Sequence, residues 1–195
     1  MNSFPIHLLQ ALNTRHYGFH THCQQSTLHI TLHPFDLQKK SVETHIRLDG
    51  IALDLSQLHA HEHRHYHFPI NPEEGYIDGS VYLQNQHVPV DVTDLIFGTF
   101  TSQGLPVQIK GILTFSAISI KTWSDTAIAL SCILELPPTK EQIHAAITTA
   151  IIETNANSMH DVGKLMGWLT RAYPNWEDRR ALHDAVCHQL KMHIQ

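Results

Sequence analysis

Residues 129–152 read ALSCILELPPTKEQIHAAITTAII, and the change of rhythm inside them decides the fold. ALSCILEL (129–136) closes a series of short strand-like segments. Pro137-Pro138 then marks a boundary, because the residue before a proline avoids helical geometry and proline is tolerated at a helix start. Thr139 follows, with Gln142 three residues on, a capping box. Ile143, Ala146, Ile147, Ala150 and Ile151 recur at i, i+3, i+4, i+7 and i+8, one apolar helical stripe. The chain therefore divides into a mostly-β domain, residues 1–137, and a helical tail, residues 138–195.

Upstream the rhythm has period two. TLHITLH (27–33) puts Leu28, Ile30 and Leu32 on one face of a strand. VETHIRLDGIALDL (42–55) is strand-like, with Asp49-Gly50 as a hairpin-type interruption. GYIDGSVYLQNQHVPVDVTDLIFGTF (75–100) predicts a strand, a polar turn around Asn85 and Gln86, then further strands. Asp78-Gly79 reads as a turn, and Asp91 and Asp94 as turn or cap residues around a strand break. LPVQIKGILTFSAISI (105–120) alternates again. Short strands at regular spacing predict an antiparallel β sandwich or a barrel-like sheet. An early helix is expected near Phe4 to Leu12. The whole is α+β.

Downstream, Ser158 and Asp161 open a second helix, with Val162, Leu165, Met166, Leu169 and Ala172 or Tyr173 on its inner face. Pro174 stops it. Asn175 and Asp178 open a third, whose buried side carries Leu182, Val186 and Leu190. Three amphipathic helices make a small bundle, with too little surface to bury for much stability by itself. Gly163 and Gly167 lie four apart in the second helix. Each costs about 1 kcal/mol of helix propensity, so close approach of a neighbouring backbone, or of a partner, is expected there.

The run AAITTAIIETNANSMHDVGKLMGWLTRAYPNWEDRRALHDAVCHQL resembles the tail domain of the GatB/YqeY family over residues 140–190. Ser158, Met159, Asp161, Val162, Gly163, Lys164, Leu165, Met166 and Gly167 match that family's S-M-x-D-M-G-K-V-M-G. Its glycine-rich turn is replaced here by residues 174–180. The resemblance implies a small helical domain without catalysis of its own. In the B subunit of the glutaminyl/aspartyl-tRNA amidotransferase such a tail helps hold tRNA. It marks Gly163, Lys164, Gly167, Trp168, Arg171, Arg179 and Arg180 as candidates for contact with a protein partner or structured RNA. Residues 138–195 hold three lysines, three arginines and six acids. That balance favours a protein partner, since phosphate contacts need clustered cations. A homodimer is a further option.

LHAHEHRHYHF (58–68) is the second feature. His59, His61, His63, His65 and His67 occupy every second position, so on an extended edge strand all five imidazoles would face one way. Two such neutral imidazoles can chelate zinc, nickel or copper. His20 and His22 repeat the spacing, and His29 and His33 lie on a predicted strand. Against this, the chain has 18 histidines, so a merely solvated polar strand is the competing reading. Five imidazoles in a row would also repel one another when protonated near pH 6.

Composition excludes several classes. Charged residues are only 16 %, which argues against disorder, and the net charge of −5 against general nucleic-acid affinity. Cys23, Cys132 and Cys187 are odd in number and far apart, which predicts neither a disulfide framework nor a zinc knuckle. The N-terminal MNSFPIHLLQALNTRHYG has no basic start and no long apolar core, so a signal peptide is not expected. No apolar run reaches the ~20 residues of a membrane-spanning helix. The expectation is a cytoplasmic protein. Without G-x-S-x-G, P-loop, H-E-x-x-H or dinucleotide fingerprints, the chain reads as a binding protein and leans away from an enzyme. The alternatives are a histidine-rich metalloprotein, zinc or nickel being the cofactor, and an immunity-type or structural interaction domain.

Overall fold

The structure, a computed structural model, describes residues 2–20, 25–83, 85–118, 122–135, 139–173 and 179–194. The chain divides into two compact units, Met1–Leu136 and Pro137–Gln195. The Pro137-Pro138 boundary, Pro174, Asn175, Asp178, His22 and Cys23 lie outside the described residues.

The first unit is all β. Its strands are β1 (Asn2–Ser3), β2 (Ala11–His20), β3 (Gln25–Leu32), β4 (Phe35–Leu37), β5 (Lys40–Val42), β6 (His45–Ile51), β7 (His65–His67), β8 (Asp78–Leu83), β9 (Gln86–Phe97), β10 (Leu105–Leu113), β11 (Trp123–Ser124) and β12 (Thr126–Leu134). The main sheet runs β12-β10-β9-β8-β6-β3-β2, every pair antiparallel. Its two ends, β12 and β2, come alongside each other without a ladder among the described residues, giving a nearly closed barrel. β7 pairs with the far half of β9, beyond the stretch taken by β8. β1 pairs with β11, and β4 with β5, as two-stranded ribbons.

Period-two alternation makes this unit. Leu28, Ile30 and Leu32 face inward on β3, Ile46 and Leu48 on β6, Val88, Val90, Val92, Leu95 and Phe97 on β9, and Val107, Ile109 and Leu113 on β10, all buried. Each fully buried aliphatic contributes about 1.5–3 kcal/mol, and together they fill the interior, as in other small barrels.

Three local expectations are corrected. Residues 4–12 form no α-helix: only Ile6–Leu8 coil, as a 3-10 turn, and Ala11 already starts β2. Phe4 is instead anchored in the barrel, its N–H donating to Thr126 Oγ1 and its ring meeting Phe115 and Trp123. Asp49-Gly50 is no hairpin: β6 runs through it, with Gly50 at φ 75° and Asp49 accepting from Thr27 and Arg47. Asp78-Gly79 is no turn but the start of β8. A Cβ on Gly79 would stand 2.2 Å from the Val90 carbonyl oxygen, so glycine there permits close strand approach. The turn at Asn85 is present, at φ 66°.

The second unit holds α1 (Lys140–Thr154), α2 (Val162–Ala172) and α3 (Arg179–His193). Thr139 and Gln142 form the capping box at α1. Ser158 and Asp161 form another at the 3-10 turn that leads into α2. Ala146, Ile147, Ala150, Ile151, Leu165, Leu169, Leu182, Val186 and Leu190 make the shared core. No helix among the described residues is long and apolar enough to cross a membrane.

Candidate metal centre

The five alternating histidines do not share a strand. His59 and His61 sit in a 3-10 turn, Leu58–His61, and His63 adopts a left-handed backbone at φ 60°. Only His65 and His67 lie on β7 and face the same way. The ladder of β7 with β9 is three residues long, His65–His67 against Asp94–Ile96.

Each of the first three histidines has its own local role. His61 is buried and structural. Its Nδ1 lies 2.9 Å from the Tyr66 hydroxyl, its Nε2 lies 3.0 Å from the Asp54 carbonyl oxygen, and its ring stacks on Phe97. His59 is exposed and stacks on Phe100 at 4.1 Å. His63 is exposed, its backbone N–H donating to the Gly98 carbonyl. Among the described residues no contact brings these three rings to His65 and His67.

His65 and His67 meet Asp94 instead. His65 Nε2 lies 2.7 Å from Asp94 Oδ1, and His67 Nδ1 lies 2.8 Å from the same oxygen. The two rings are 4.1 Å apart. The three donor atoms all fall within 4.8 Å of one another. Asp94 was expected in a turn or cap; it lies within β9, directly across from His67.

A β-bulge builds this corner. Lys110 of β10 pairs with Asp94, but Gly111 pairs with Val92, so Thr93 is an extra residue in β9. Val92 and Leu95 remain in the core, while Thr93 and Asp94 both reach the outer surface. Thr93 Oγ1 then donates to Asp94 Oδ2 at 2.7 Å, and Phe68 N–H donates to the Thr93 carbonyl. One oxygen of Asp94 is thus held from behind, and the other points at the two imidazoles. The Thr93 hydroxyl first, then the His65 hydrogen bond and the charges of His67 and His65, hold the Asp94 carboxyl below the usual carboxylate range against a smaller opposing effect of burial.

Two imidazoles and a carboxylate are ordinary zinc ligands, at about 2.0–2.2 Å from the ion. A shared ion spreads such donors to about 3.3 Å apart by tetrahedral geometry, so they would part by some tenths of an ångström from their hydrogen-bonded spacing. His65 and His67 are exposed, with side chains 43 % and 74 % accessible, so they can move and leave open positions for water.

The tail candidates belong to the helical unit. Gly163 is exposed, and a Cβ there would meet no described atom within 4 Å; at Gly167 it would meet only the Arg171 Nη1, at 3.9 Å. The two glycines therefore do not serve close helix packing among the described residues, which corrects that expectation. Lys164 Nζ donates to the Thr154 carbonyl at the end of α1, and Arg179 Nη1 donates to Thr170 Oγ1. Trp168 is half-buried against the helical core, near Tyr173. Arg171 and Arg180 are exposed.

Of the cysteines, Cys132 is buried, which pushes its thiol up to about 11, and Cys187 is half-buried. Compared with known proteins, no family model matches the chain, and neither a curated protein nor a solved structure matches it significantly.

Proposed function

We propose that this is a binding protein whose barrel holds one divalent transition-metal ion, zinc before nickel, between His65, His67 and Asp94. The observation that carries the reading is the convergence of both imidazoles on a single carboxylate oxygen, at 2.7 and 2.8 Å, with the other oxygen fixed by Thr93. That is a set of ligands with its outer support already in place. Two nitrogens and one oxygen suit zinc, nickel or copper better than calcium or magnesium, which prefer oxygen alone. His59, His61 and His63 take no part.

The test is calorimetric titration of zinc into the untagged full-length chain. One equivalent binds, and Asp94→Asn, which keeps the shape and removes the charge, abolishes saturation while the circular dichroism is unchanged. Zinc affinity equal in the two proteins would refute the reading.

A second reading concerns the helical unit and is favoured by the open surface at Gly163. A glycine in a helix costs stability, and here no described neighbour explains it. A partner backbone approaching α2 at Gly163, Lys164 and Gly167 would. The GatB/YqeY-like motif points the same way, to a protein partner before structured RNA, since Lys164 and Arg179 are already engaged. Titration with labelled tRNA separates the two: no saturable binding at physiological salt fits a protein partner, whereas saturable binding there, weakened in Lys164→Ala, would assign RNA.

A further inference from the structure

The open seam between β2 and β12 follows from the number of strands. With β7 off the path, seven strands follow one another in the main sheet, each antiparallel to the next, so the two end strands run in the same direction. The chain ahead of them agrees: β1 pairs with β11 in parallel, Asn2 opposite Trp123 and Ser3 opposite Ser124, and Phe4 N–H donates to Thr126 Oγ1. The 3-10 turn Ile6–Leu8 follows, and when β2 begins at Ala11 no ladder joins it to β12 among the described residues. A cavity of about 530 Å³ stands there instead, lined by Leu12, Asn13 and Thr14 on one side and by Ser131, Cys132 and Ile133 on the other.

Two buried oxygens line this seam unsatisfied. Thr14, 2 % exposed, lies opposite the buried Ile30 and points into the barrel; Asn13, opposite Thr31, points the other way. Neither Asn13 Oδ1 nor Thr14 Oγ1 has a hydrogen-bond partner among the described residues. The Thr14 hydroxyl reaches the Cys132 thiol across the seam and draws its proton affinity down against burial, but a thiol is only a weak hydrogen-bonding group. A buried polar atom without a full partner is costly, and one such oxygen lies toward each face of the wall. A ligand resting on the outer surface would reach Asn13 alone, and one inside the barrel Thr14 alone. An occupant of the wall itself reaches both. An extended peptide is such an occupant, because its side chains alternate between the two faces.

We propose that the seam accepts an extended peptide segment of a partner protein, running antiparallel to both β2 and β12 and closing the ring of strands. An odd count leaves the two edges parallel. One more strand makes every neighbour antiparallel, the slightly stronger pairing per residue. Unpaired edges are templates for a further strand, and main-chain hydrogen bonds give such additions their affinity. Ala11–Thr14 spans roughly 13 Å, the length of a four-residue strand. The side chain that faces inward beside Thr14 is Ser or Thr, whose hydroxyl both donates and accepts. The outward ones are apolar and cover Leu12, which is 51 % exposed, and the half-buried Ile133.

The test is a display library of short random peptides, selected against the untagged full chain, with the best binder synthesised and titrated in. Saturable binding shifts the amide resonances of Ala11–Thr14 and Ser131–Glu135 and slows their exchange with deuterium, as new backbone hydrogen bonds require. Asn13→Leu and Thr14→Val each weaken binding by roughly two- to tenfold, as expected for loss of one hydrogen bond. Both variants keep their amide spectrum and their zinc affinity, so this result is independent of the His65 corner. Without peptide, Thr14→Val melts no lower than the parent chain, because the hydroxyl it removes has no full partner. A clear drop in its melting temperature would overturn the reading of Thr14 as unsatisfied, and the proposal with it. A library without a binder, or a binder whose shifts fall outside the seam, overturns the proposal. So does self-association at rising concentration that Asn13→Leu and Thr14→Val abolish, which would assign the seam to a second copy.

Discussion

Two pairs of close histidine rings sit on one barrel, one tilted and one stacked, and their neighbours differ. His65 and His67 are 4.1 Å apart and face Asp94; His29 and His45 are 4.0 Å apart and stand among Arg15 and Arg47. The ring spacing is the same. At the first pair a carboxylate favours cations and orients nitrogen lone pairs or protons toward one point. At the second, Arg15 and Arg47 flank His29 in the ladders, and their charges add to burial in holding down its proton affinity. Histidine clusters are therefore read from the charge of what faces them, and a count of imidazoles says little.

Asp94→Asn breaks the comparison most severely. Zinc affinity should fall by about 100-fold or more, at least the upper range seen for disrupted metal-site partners. Calorimetry reads the loss. Thr93→Val sharpens it: the ligands stay, but the Asp94 carboxylate loses its support. Zinc affinity should then drop by roughly tenfold, in the lower part of the range for second-shell changes.

The third prediction uses pH. Burial lowers the proton affinity of His16, as it does that of His29. The unfolded chain therefore binds more protons than the folded one at acidic pH, so stability rises with pH in that window. Chemical denaturation should show stability level above about pH 6.5, the ordinary histidine value, and falling below it. His29→Gln should flatten part of that slope and leave zinc affinity alone. An unchanged slope would show that burial and the neighbouring charges do not hold down the His29 imidazole.

The smallest effect is expected at His59 and His63. Both are exposed, so alanine at either should change stability by less than about 0.5 kcal/mol and zinc stoichiometry not at all. Loss of zinc on either substitution would restore the five-histidine reading.

The fold was largely legible because both units rest on simple periodicity. Leu28, Ile30 and Leu32 on β3, and Ala146, Ile147, Ala150 and Ile151 on α1, are all in the cores. Thr139 and Ser158 cap where their spacing says they should. The glycines were less legible: Gly50 and Gly79 follow aspartates and look like turns, yet each lies within a strand. Nothing local distinguishes a turn glycine from one needed beneath Val90 of a strand not yet paired.

The candidate site was half legible. His65 and His67 were among the histidines singled out, but only long-range pairing selects them from the five. Asp94 is 29 residues from His65, and its exposure depends on an extra residue at Thr93 that alternation alone does not reveal. The strand VPVDVTDLIF carries a faint sign: Val92 and Leu95 are three apart, where strict alternation would place them two or four apart. The neighbours of His29 gave no local sign at all, because Arg15, His29 and Arg47 come from three strands.

The central claim is that one ion is held by one particular pair of imidazoles and one carboxylate. A histidine-selective spectrum of the untagged chain, titrated with zinc, tests it most directly. The account predicts that the His65 and His67 rings shift together and stop shifting at one equivalent, with His29 and His45 unmoved. Zinc spreading over many histidines without saturation, or leaving His65 and His67 untouched, would contradict it.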